Sequence, residues 1–150
     1  MMNKDEILKA CFDLVHKKIE EVNMAIQTAN HSLVEEDKSS AGDKYETGRE
    51  MIQQDLNRYE QQLKVLTQDL DLLQRIQSQE IRTDAVGLGS LVKTDKSIFF
   101  LACSIGVVPV GKNTIYCISL VSPIGQVLQG KKEGVNFAFN GVEHQILSLS

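Results

Sequence analysis

The side chains that could do chemistry in this 150-residue chain gather around one short stretch. Glu35, Glu36 and Asp37 precede the dipeptide Ser39-Ser40, and Asp43 and Glu46 follow it. Carboxylates so placed suit a helix start, where unpaired N–H groups and the macrodipole favour negative charge. Ser40 with Asp43 three residues on resembles a capping box, and capping alone accounts for Asp43. Elsewhere the pattern excludes several chemistries. His16, His31 and His144 are far apart and share no ligand spacing. Cys11, Cys103 and Cys117 are an odd, widely spaced set without a C-x-x-C, unlike a zinc ribbon or a disulfide framework. Cys103 and Cys117 fall in predicted adjacent strands, where two buried thiols are the ordinary reading. With no nucleophile–base grouping and no glycine-rich phosphate loop, the chain is expected not to be an enzyme and to hold no metal of its own.

Composition narrows the class. There are 16 basic and 20 acidic residues, a net charge of -4, and a pI near 5.4. That balance argues against a protein that coats nucleic acid by bulk electrostatics. The N-terminal MMNKDEILKACFDLV has scattered charges and no apolar run of signal-peptide length, and the run Ile98 to Cys103 is too short to span a bilayer. The expectation is a soluble cytoplasmic protein without a membrane partner.

The elements that must position the acids follow from a change of punctuation along the chain. Up to Arg82 there are 11 basic and 16 acidic residues, and only Gly42 and Gly48 among the glycines; after it the charges are 5 and 4, and both prolines appear. In the first part Leu8, Phe12, Val15, Ile19, Val22, Ile26, Ala29 and Leu33 are spaced alternately by four and three. Ile52, Leu56, Tyr59, Leu63, Leu66, Leu70 and Leu73 do the same, extending backwards through Arg49 to Tyr45. This is the 3.5-residue period of a coiled-coil seam. Folded back about residue 39, the two series match in register: Leu8 opposite Leu70, Val15 opposite Leu63, Ile26 opposite Ile52, Ala29 opposite Arg49. An antiparallel hairpin over 1–82, with its tip at 35–46 and its turn at Lys38 to Ala41, explains the mirror better than a parallel dimer. At about 1.5 Å per residue each arm would be roughly 45 Å long.

Residues 83–88 read as a linker, and 89–150 as a second domain of period-two strands. Predicted strands are Gly89 to Lys93, Ser97 to Gly106, Thr114 to Val121, Val135 to Phe139 and Val142 to Leu149. Asn140-Gly141 is a two-residue hairpin signal. Ser122 as N-cap, Pro123 at the first helical position and Gly130 past the end predict a short helix between strands. The fold class is therefore α+β: a helical hairpin followed by a small antiparallel sheet with one short helix.

Within that plan lies a more specific pattern. Ile118-Ser119-x-x-Ser122-Pro123-Ile124-Gly125-x-x-Leu128-x-Gly130-Lys131-x-x-Gly134 resembles the strand, helix and turn of the FKBP-like C-terminal domain of the bacterial Gre transcript-cleavage factors. Gly89-Ser90-x-Val92 resembles the opening of that domain, Gln145-Ile146-Leu147-Ser148-Leu149 its last strand, and Tyr45-x-x-x-Arg49-Glu50 the segment after the hairpin tip. The resemblance covers nearly the whole chain and is strongest in the last 35 residues. It implies a transcription elongation factor, monomeric, that docks on RNA polymerase, with Ser122, Pro123 and Ile124 as docking candidates. The coiled coil would enter the secondary channel, where Asp37, Asp43, Glu36 and Glu46 would support a second Mg²⁺ shared with the polymerase during cleavage of backtracked RNA. Indirect contact with nascent RNA, and with DNA in the complex, would follow. The tip departs from the family's G-D-L-x-E-N-A-E-Y. Aligned on Tyr45, the Asp position holds Lys38 and the Glu position Ala41; a one-residue shift brings in Asp37 but leaves Ala41 or Ser40 for the Glu.

The alternatives are a secondary-channel regulator that does not promote cleavage, a coiled-coil adaptor, and a peptidyl-prolyl isomerase. The last would need an aromatic-lined pocket built from Phe99, Phe100, Phe137, Phe139 and Tyr116, yet 137 and 139 share one strand face and read as core. Ser122-Pro123-Ile124 is equally readable as a helix cap, and the tip acids as solvated caps.

Overall fold

The structure, a computed structural model, describes the backbone of residues 3–39 and 42–150, and their side chains apart from 37–39 and 42–46. Two long helices, α1 (Lys4–Ser39) and α2 (Gly42–Ser78), precede strands β1 (Leu91–Thr94), β2 (Ile98–Ala102), β3 (Gly106–Val110) and β4 (Asn113–Ser119). A short helix α3 (Pro123–Leu128) leads to β5 (Asn136–Phe139) and β6 (Val142–Leu149). The fold is α+β. Residues up to Leu14 form one compact unit with Leu70–Ser150, and Val15–Asp69 form the other.

In the Val15–Asp69 unit the expected seam carries the burial. Val15 and Leu56 are buried and Ile19, Val22, Ile26, Ala29, Leu33, Ile52, Tyr59, Leu63 and Leu66 half-buried, while the positions one residue either side of Ile19, Val22, Tyr59, Leu63 and Leu66 face solvent. That alternation of three and four is the pattern each helix needs to bury one narrow stripe. Ala25, Thr28, Ala29 and Ser32 of α1 share a cleft of about 320 Å³ with Ile52, Asp55 and Tyr59 of α2, so these stretches run beside each other. Small side chains at 25, 29 and 32 leave that space unfilled.

In the other unit, α1 opens on Asn3, whose Oδ1 accepts from the Asp5 N–H at 2.9 Å, with Asp5 and Glu6 adding negative charge to the first turn. The sheet order is β3-β4-β2-β1-β6-β5. Here the expectation of an antiparallel sheet is corrected: the sheet is mixed, because β2 pairs with β4 in parallel, Phe99 beside Tyr116 and Ala102 beside Ser119. After β2 the chain turns through Cys103 to Ile105, descends as edge strand β3, and returns as β4 between β3 and β2. Strand β3 has no counterpart among the expected strands. Pro109 lies within it, and proline is tolerated there because an edge strand leaves one row of N–H positions unpaired.

Alternation gives the sheet two apolar faces. Val92, Phe99, Leu101, Phe137, Ile146 and Leu149 form one core with Val86 and with Leu128 of α3, and Ile124 and Phe139 pack on it. Leu91, Phe100 and Cys117 are cross-strand neighbours on the opposite face, where Cys11 of α1 meets Cys117. Ile7, Leu73 and Ile76, near the ends of the long helices, are also sealed from solvent. The expected Asn140-Gly141 turn is present, with φ of 53° and 76° between Phe139 and Val142; positive φ at both central residues matches the right-handed strand twist. Gly89 is needed for two reasons. Its φ is +82°, and a Cβ there would lie 2.5 Å from Ile81 Cδ1.

Candidate functional site

Two places in the chain were expected to carry function, and the structure treats them differently. At the expected turn, α1 ends at Ser39 and α2 begins at Gly42, and Ser40 and Ala41 lie outside the described residues. Asp37 lies on the last turn of α1, and Asp43 and Glu46 on the first turns of α2; their side chains are outside the described residues, as are those of Lys38 and Tyr45. Glu36 is described. It is half-buried, and its carboxyl group lies over Gly48 of α2, where a Cβ would approach it to 3.0 Å. Gly48 thus leaves room for an acidic side chain crossing between the helices.

The Ser119 to Gly125 segment is a tight local knot, built from the strand end upward. The Ser119 carbonyl oxygen, at the last residue of β4, accepts from the Ser122 hydroxyl at 2.6 Å and the Ser122 N–H at 3.1 Å. Ser122 Oγ in turn accepts from the Gly125 N–H at 3.1 Å, capping α3, and Pro123 occupies the first helical position where no N–H is required. Ser119 Oγ accepts from the Val121 N–H at 3.1 Å, and the Gln126 side-chain amide donates to the Val121 carbonyl at 2.9 Å. Gly125 is buried because α3 sits directly on the strand end: a Cβ there would be 2.0 Å from the Ser119 oxygen. Capping and close approach therefore account for Ser119, Ser122 and Gly125, and core packing for Ile124. They do not account for Val121, which is 79% exposed in the turn.

A third grouping was only half visible in the sequence. Cys103 and Cys117 were expected to be neighbours, and they are; Cys11 joins them from α1. All three are buried. The sulfurs of Cys11 and Cys117 are 3.9 Å apart across 106 residues of chain. Hydrogen bonds from Cys103 and Cys11, with the nearby backbone N–H groups of Cys103 and Ile105, hold the Cys117 thiol below its ordinary pKa. Its hydrogen bond with Cys117, together with burial, pushes the Cys11 thiol well above its own. No spacing rule could have found Cys11, because the contact depends on which helix face meets which strand.

His144 occupies the other face, stacked on Phe137 with ring centroids 4.9 Å apart and 4° between planes, its Nδ1 3.3 Å from Thr94 Oγ1. Phe99 continues the row towards Tyr116, at 6.0 Å. Phe137 and Phe139 belong to the core, as their spacing implied. Among the described residues no group of His, Cys, Asp and Glu is arranged to hold a metal ion, and no helix is long and apolar enough to cross a membrane. In comparison with known proteins, no family model matches the chain, and no curated protein matches it significantly.

Proposed function

We propose that this chain is a cytoplasmic transcription elongation factor of Gre type, in which an antiparallel coiled-coil hairpin carries the tip acids into the secondary channel of RNA polymerase and an FKBP-like domain docks on the channel rim. The observation that carries the reading is the Ser119 to Gly125 knot. The residues of the Gre-like pattern that need a structural reason have one there, and the same turn presents an exposed apolar side chain, Val121, next to the cap. An exposed apolar side chain held on a rigid turn suits a partner surface. The seam burial on both long helices and the helix break between Ser39 and Gly42 support the hairpin.

In this reading the protein has no chemistry of its own. Carboxylates from Asp37, Asp43, Glu36 and Glu46 would supply hard oxygen ligands to a Mg²⁺ that the polymerase alone binds weakly, and the polymerase would cleave its own backtracked transcript. Lys38 and Ala41, at the family's acidic positions, favour a second reading in the same class: a channel-occupying regulator that binds and does not promote cleavage. Docking is tested with Val121→Asp, a change at an exposed position that leaves the fold intact. The full chain should bind cognate core polymerase, and the variant at least tenfold more weakly. Equal binding by the two would refute the docking surface, and no binding by either would leave a coiled-coil adaptor.

A further inference from the structure

The cysteine cluster lies outside everything the transcriptional reading uses. Three cysteines are the whole complement of the chain, and all three are sealed from solvent at one place although they come from a helix, a turn and a strand. Cys11 projects from α1 onto the sheet and Cys117 from β4 towards it, with their sulfurs in contact at 3.9 Å. A disulfide needs a sulfur separation of about 2.05 Å, so closure requires the two sulfurs to approach by about 2 Å. Cys103, just past the end of β2, hydrogen-bonds to Cys117 through its side chain.

From this arrangement we propose that Cys11 and Cys117 are a peroxide-sensitive dithiol, a redox modification site whose disulfide ties the start of α1 to β4. The geometry gives the two sulfurs different places: the Cys11 thiol donates to the Cys117 sulfur, so Cys117 is the nucleophile and Cys11 the resolving thiol. In the first step the Cys117 thiolate attacks one oxygen of hydrogen peroxide: an S–O bond forms, the O–O bond breaks, and the departing hydroxide takes a proton to become water. In the second step the Cys11 sulfur attacks the Cys117 sulfenic sulfur. The S–S bond forms, the S–O bond breaks, and the leaving hydroxide carries off the Cys11 proton as a second water. Two thiols have lost two electrons and two protons, and one peroxide has become two waters. Burial sets the selectivity: a small neutral peroxide can enter during local opening, whereas a bulky aromatic disulfide reagent cannot.

The test uses the full folded chain, without substitution. It is treated with hydrogen peroxide under native conditions, then unfolded and alkylated, and analysed by intact mass before and after alkylation and by non-reducing peptide mapping. The expected product is 2 Da lighter than the reduced chain before alkylation, takes up one alkyl group, at Cys103, where the reduced chain takes up three, and links the Cys11 and Cys117 peptides; dithiothreitol restores three alkylatable thiols. A Cys103→Ser variant should form the same link. The proposal is overturned if a peroxide dose that oxidises the urea-unfolded chain leaves all three thiols of the folded chain free. It is equally overturned if the bridge maps to Cys103, or if Cys117 stops at a sulfinic acid without bridging.

Discussion

Replacing Gly125 by alanine separates two physical effects of opposite sign. In an isolated helix alanine is favoured over glycine by about 1 kcal/mol, so on propensity alone Gly125→Ala would stabilise α3. The packing predicts the reverse. A Cβ at this position falls 2.0 Å from the Ser119 oxygen, 2.9 Å from Leu120 Cα and 3.0 Å from the Leu120 carbonyl carbon. All three are backbone atoms of the strand end, unable to swing aside as a flexible side chain would. Relief requires α3 to move out by about 1 Å or more, loosening the fully buried Leu128 and the Ser122 cap together. Overpacking of this kind costs about 1–3 kcal/mol, and lost cap and core contacts bring the expected net destabilisation to about 2–3 kcal/mol. With a urea m-value of about 1–3 kcal/mol/M, the midpoint should fall by roughly 1 M. Because the chain comprises two compact units, unfolding should be followed at β4 and β5 amides by NMR rather than by total helix content. An unchanged or raised midpoint would refute the close approach on which the account of this motif rests.

The remaining predictions concern neighbouring features. Ser122→Ala removes the oxygen that accepts from the Gly125 N–H at 3.1 Å and should cost about 1 kcal/mol in the same experiment; no loss would mean that Pro123 alone starts the helix. Asp95 accepts from the Gln145 N–H at 2.9 Å, and that bond, ahead of the Lys96 charge, holds its pKa below the ordinary value of 3.8. Its contribution to stability is therefore complete above that value and is lost as pH falls through the lower, folded-state pKa. Asp95→Asn should flatten that part of the acid limb in a pH titration of stability, and an identical limb would contradict the assignment.

Local chemistry was the most legible part of this chain. Ser122 and Pro123 announced α3, Asn140-Gly141 its hairpin, and the alternation of three and four from Leu8 to Leu73 the stripe that both long helices bury. Each of these is decided within a few residues of chain. Strand direction is not: β-branched alternation is the same in parallel and antiparallel pairs, so the insertion of β4 beside β2 could not be read. Pro109 hid β3, since a proline excludes a strand unless its edge position is known. Cys11 looked solitary because a heptad seam describes only one stripe of α1, and the cysteine meets the sheet near the helix start instead. Of the candidate site, Ser122 and Ile124 have structural work in the knot and the core. The exposed residue of that turn, Val121, was passed over because it lies at an unspecified position of the pattern.

The tip acids bear the functional claim, and a cleavage assay addresses them directly. Purified cognate RNA polymerase, stalled and backtracked on a defined template with Mg²⁺, would be incubated alone, with this protein, and with the Asp37→Ala, Asp43→Ala double variant, with binding of both proteins measured in parallel. The account predicts that the protein shortens the transcript at least tenfold faster than polymerase alone, and that the double variant binds equally but loses the acceleration. Binding without acceleration would contradict the cleavage role and leave a channel-occupying regulator, and absence of binding would contradict the transcriptional assignment altogether.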